Sequence, residues 1–176
     1  MKKLAIYCLV ILLLPLTGCP LLTKIPVDQG SYTVQPWLRG CWHEENELGK
    51  PERAWLAERD LAKGNLTIYE IDSTGNPDYL TPNKVIMSNL GGKTFACINH
   101  IADDGTDEGY FIYEFRKISN VEFTLAGFKA GKLPYSTTTA ELWKYLKYNM
   151  NNPDSYDPKE TITFRKYHNV SAYSFD

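Results

Sequence analysis

Two histidine-bearing stretches are where this chain could assemble acid–base or metal chemistry. His43-Glu44-Glu45 sets an imidazole beside two carboxylates, and His100 is followed closely by Asp103 and Asp104. Such groups together can hold a cation or pass a proton near neutral pH. Neither histidine has a partner at metal-ligand spacing, HExxH is absent, and no Cys/His spacing suits structural zinc. Both histidines precede polar residues, so the simpler reading is two solvent-facing side chains. Asp103-Asp104-Gly105-Thr106-Asp107-Glu108 crowds four carboxylates into six residues. That density of hard oxygen ligands suits Ca²⁺, but the spacing is not that of an EF-hand, and the simpler account is an acidic hairpin tip. A Gly-x-Ser-x-Gly elbow and a glycine-rich phosphate loop are both lacking. The sequence therefore predicts no catalytic residue, no resident metal and no cofactor.

Most of the chain around these groups reads as strands. Leu38 to Glu45 opens the series, and Ala54 to Leu61 reads as either a strand or a short helix. Leu66 to Ile71 alternates with β-branched and aromatic residues, then stops at the turn-forming residues 72–77. Lys84 to Leu90 and Lys93 to Ile101 flank Gly91-Gly92, a connection whose two residues can both take positive φ. Tyr110 to Ile118 and Val121 to Phe128 pair across Ser119-Asn120. Phe111, Tyr113 and Phe115 share one strand face and Val121, Phe123 and Leu125 another, with polar residues opposite. Thr138-Thr139-Ala140-Glu141 fits a capping box. Leu142, Leu146 and Met150 then mark one face of a helix, and Thr161 to Tyr167 a last strand. The expected fold is mainly β: an antiparallel meander forming a barrel or small sandwich, with one amphipathic helix before the final strand.

Ahead of these elements, Lys2 and Lys3 precede an apolar run from Leu4 to Leu14, and Leu16-Thr17-Gly18-Cys19 ends it with small residues before a cysteine. The arrangement resembles the signal peptide and lipobox of bacterial lipoproteins, and the uninterrupted run is short for a span of about 20 residues. The resemblance implies cleavage after Gly18, acylation of Cys19 with palmitate among the chains, and a lipid-anchored protein of the cell envelope. Pro20, in place of the aspartate that retains many such proteins at the inner membrane, points to the outer membrane, on its periplasmic face or at the surface. The organisation expected is a signal peptide over 1–18, a lipidated cysteine and linker over 19–35, and a single β-rich domain over 36–176. Losing Lys2 and Lys3 makes the formal net charge of −2 more negative, and no basic patch suggests nucleic acid as a partner. Of the four cysteines, Cys8 leaves with the leader and Cys19 carries the anchor. In an exported protein Cys41 and Cys97 would then form a disulfide, with two separately buried thiols as the alternative. Such a bridge would draw His43 and His100 into one site.

Gly40-Cys41-Trp42 on the opening strand, after a short turn, resembles the lipocalins, whose Gly-x-Trp tryptophan plugs the closed end of an eight-stranded barrel. The helix before a last strand matches their order, and Thr106 to Tyr110 resembles their Thr-Asp-Tyr-x-x-Tyr turn with one residue fewer. The resemblance implies an interior lined by Trp42, Phe111, Tyr113, Phe115 and Phe123 that takes a small hydrophobic ligand. Three functions follow, in order. The first is a non-enzymatic envelope lipoprotein whose β-domain binds an envelope protein or other component. The second is a lipocalin-like carrier of a small hydrophobic ligand, and the third an enzyme or metal site around His43 and His100.

Overall fold

Strand alternation runs through nearly the whole chain, and the computed structural model shows what it builds. It describes residues 21–27, 32–45, 49–60, 65–102, 105–129, 133–134 and 137–167; the expected signal peptide, Cys19, Asp103 and Asp104 lie outside them. The strands are β1 (Leu22–Thr23), β2 (Gly40–Glu45), β3 (Pro51–Asp60), β4 (Asn65–Ile71), β5 (Asn83–Leu90), β6 (Lys93–Ile101), β7 (Asp107–Lys117), β8 (Glu122–Phe128) and β9 (Tyr156–Lys166). From β2 to β9 each strand pairs antiparallel with the next, and β9 returns to β2 through Trp42↔Lys166 and Glu45↔Thr163. The result is a closed eight-stranded barrel with β1 as an extra strand, so the fold is mainly β and the meander closes as a barrel rather than a sandwich. Closure leaves these eight strands without a free edge.

The ambiguous segment after Ala54 is a strand. Trp42↔Trp55 and Ala54↔Ile71 fix its register between β2 and β4. Trp55 and Ala57 face the interior, while Ala54 packs outside with Cys41 and Ile71. Gly91 and Gly92 turn the β5–β6 hairpin at φ +59° and +83°. The single α-helix among the described residues, α1 (Thr139–Asn149), starts at the capping box: Glu141 N–H donates to Thr138 Oγ1, and Thr138 N–H to the Glu141 carboxylate at 2.8 Å. Its Leu142 and Leu146, with Met150, lie on the outer barrel wall against Phe95, Ile112 and Phe128. Each such buried side chain contributes about 1.5–3 kcal/mol.

The segment expected to be a linker is instead built into the fold. Leu21, Thr23, Val27 and Val34 are buried. β8 pairs only with the Tyr113–Lys117 half of β7, and β1 enters the wedge left beside Tyr110 and Phe111. Leu21 N–H donates to Phe128 O at 2.8 Å and Ile112 N–H to Leu21 O at 3.0 Å. Thr23 can come this close because β7 carries Gly109 at φ +106°, where a Cβ would collide with the Thr23 carbonyl. Val27 then lies between barrel and helix, its N–H donating to Cys97 Sγ and its carbonyl accepting from the Trp143 indole.

A second correction concerns the cysteines: Cys41 and Cys97 are both buried and no disulfide joins them. β2 and β6 stand four places apart on an eight-membered ring, hence on opposite walls. Trp42 and Ala96 face the interior, so their neighbours Cys41 and Cys97 point outward, away from each other. Cys41 packs with Ala54 and Ile71, and Cys97 under the helix.

Candidate ligand cavity

One end of the barrel is sealed from the chain itself. A 3₁₀ turn, Pro36–Leu38, folds beneath β2. Trp42 Nε1 donates to Leu38 O at 2.9 Å and Lys166 Nζ to Trp37 O at 2.7 Å. Above this plug the rings form a floor: Trp42 meets Phe123 edge-on at 4.8 Å between centroids, Phe123 stacks on Phe164 at 4.9 Å, and Phe115 lies 5.1 Å from Phe123. Aromatic pairs at these separations contribute beyond their buried area.

Over the floor lies a cavity of about 340 Å³, open at the far end. It exists because Ala57 and Ala96 occupy inward positions where larger side chains would fill the space. Trp42, Phe111, Tyr113, Phe115 and Phe123 all line it, the last two at its base and Phe111 and Tyr113 higher on β7.

The mouth is polar. Glu44, two residues past Trp42 on the same strand face, lines it together with Arg53, Trp55 and His100. Burial pushes the Glu44 carboxyl above its usual range, with Arg53 and the nearby Trp55 indole acting against that rise and Glu52 and Glu70 adding to it. The enclosed Trp55 Nε1 lies near this carboxylate but outside hydrogen-bonding geometry, and has no partner among the described residues. Glu160, which alternation sets on the same strand face as Ile162 and Phe164, lies near Tyr113, and burial raises its pKa as well, with Asp157 adding. The Tyr113 phenol is raised strongly, first by burial, then by Glu160 and Glu44.

The two histidines are not brought together. His43 points outward from β2, its Nε2 3.4 Å from Glu45 Oε1 and its ring edge-on to Tyr167. His100 sits across the ring on β6, 3.1 Å from Glu108 and 4.7 Å between centroids from Phe111. A joint His43/His100 site is thus ruled out by geometry. Among the described residues no cluster of three His, Cys, Asp or Glu could hold a metal. Of the acidic run, Asp107 serves the fold: its Oδ1 accepts from Asn99 Nδ2 and from Gly109 N–H, both at 2.9 Å.

Sequence reasoning missed Glu44 and Trp55 as cavity residues, and Glu160 as a neighbour of Tyr113. Alternation from Trp42 to Glu44 carried the first of them, and the Trp42↔Trp55 register the second. Glu160 lay just ahead of the expected strand, which begins at Tyr156 rather than Thr161.

No protein-family model matches this chain, and no curated protein matches it. Among solved structures, a DUF4909 family protein from Staphylococcus aureus is similar at a TM-score of 0.44 and 12% sequence identity, covering 75% of this chain and 98% of that one.

Proposed function

We propose that this protein is a non-enzymatic, membrane-anchored envelope lipoprotein whose barrel holds a small apolar ligand. The observation that carries the binding role is the cavity of about 340 Å³, floored by stacked rings and open at one end. Small-molecule sites of roughly 300–1,000 Å³ are typically apolar with a few placed polar groups, and here those groups sit at the mouth. Apolar area leaving water at about 25 cal/mol per Å² supplies the affinity.

The leader supports the anchor. Leu21 is fixed in the barrel wall, and acylated Cys19 stands only two residues before it, a reach of at most about 7 Å. On this reading the barrel lies against the lipid surface instead of being held above it.

Native mass spectrometry of protein extracted from membranes tests both parts. The expected spectrum shows a chain beginning at an acylated Cys19 and carrying a small apolar molecule that is released on unfolding. An unprocessed chain with Met1 and no acyl groups contradicts the anchor; bare polypeptide at every purity contradicts the ligand.

A further inference from the structure

The cavity's open end carries negative charge without a matching set of cations. Glu44 lines the mouth from β2, and Glu160 lies four residues before Phe164, the residue opposite Glu44 on the adjacent β9; neither carboxylate forms an ion pair among the described residues. Arg53 at the exposed rim favours the charged form of Glu44 without closing such a pair. Tyr113 packs beside Glu160: a Cβ added at Gly127 would lie 2.7 Å from Glu160 Cβ and 3.5 Å from Tyr113 Cε1. Trp55, directly across from Trp42 in register, brings an indole to the other side of Glu44. Carboxylates drawn into an apolar mouth are costly unless a counter-charge meets them. Glu52, Glu70, Asp72, Asp78, Asp107 and Glu108 lie at this same end, against Lys24, Lys50, Arg53 and Lys159, so acidic groups are in excess and the approach potential concentrates cations.

We propose that the ligand is an amphipathic cation: its apolar body rests on the aromatic floor, and its ammonium group lies between Glu44 and Glu160 against the rings of Trp55 and Tyr113. This rests on the reading of the barrel interior as a ligand site. An ammonium adds the close counter-charge that Arg53, opposite Glu44 in register but forming no ion pair with it, does not supply, and it is attracted by ring faces. A fatty-acid anion would instead set a third carboxylate against two.

Isothermal titration of the full chain near neutral pH, with decanol, decyltrimethylammonium and decanoate below their micellar concentrations, separates the possibilities. The expected order is decyltrimethylammonium tightest, by about tenfold over decanol, and decanoate weakest. In the Glu44→Gln/Glu160→Gln double variant, the ratio of ammonium to decanol affinity measured on that same protein falls toward one. Each single variant lowers it part-way, which keeps the test decisive if the double variant does not fold. Decanol binding with no ammonium preference, or a preference that survives both substitutions, overturns the inference and leaves the cavity reading standing. Failure of all three probes to bind overturns both.

Discussion

The backbone N–H of Val27 donates to Sγ of Cys97 at 3.3 Å, so the thiol that the sequence offers for a bridge is covered by the N-terminal strap. Burial also pushes the Cys41 thiol above its ordinary pKa, which slows its reaction with alkylating reagents at neutral pH. Thiol labelling of the unreduced, folded protein is therefore expected to be slow at both positions, and denaturant should release two reactive thiols without any reductant. Absence of uptake at Cys41 and Cys97 after unfolding would contradict this arrangement.

Gly109 is the position on which docking of the strap depends. At φ +106°, with the Thr23 carbonyl against it, any side chain meets both backbone strain and a collision. Gly109→Ala is expected to destabilise the barrel by about 2–3 kcal/mol, measured from urea midpoints. Faster hydrogen exchange at the amides of Leu21 and Ile112 would locate the damage, and unchanged exchange there would argue against it.

Glu114 ties the outer wall to the end of the helix. It is buried, accepts from Lys93 Nζ and Arg116 Nε at 2.9 Å each, and accepts from the Tyr156 hydroxyl. Burial alone would raise its pKa, but these donors together outweigh it and hold the carboxyl below its usual value. A carboxylate depressed in the folded state stabilises fully above its unfolded pKa of about 4.3 and loses that contribution as pH falls through the folded value. Glu114→Gln should cost about 2 kcal/mol at neutral pH, less than a fully buried pair because Lys93 and Arg116 remain partly exposed. Urea titrations at neutral pH and below pH 4 should show the two proteins converging in acid; a constant gap would contradict the assignment.

Much of the fold was legible because its determinants are local. Alternation in β7 and β8 gave the inward set that includes Phe111, Tyr113, Phe115 and Phe123, and the paired glycines and the capping box marked their own places. The strap was not legible, since Leu21, Ile25 and Val27 follow no period and are buried only where the helix and the barrel close over them. Ala54 to Leu61 stayed ambiguous because both faces of that strand carry apolar side chains, Ala54 and Leu56 outside and Trp55 and Ala57 within. The expected disulfide failed for a related reason. A cysteine count carries no angular information, and closure of the barrel sets β2 and β6 on opposite walls.

Nile red fluorescence measured on the wild-type chain and on Ala96→Phe shows whether the barrel interior is a binding site. Ala96 faces the cavity, so a phenyl ring there occupies the space a ligand would take, and near-UV circular dichroism verifies that the variant keeps its packing. Saturable one-to-one binding by the wild type is expected, with at least about a tenfold loss of affinity in the folded variant. Equal binding by both proteins, or no saturable binding by the wild type, would contradict it.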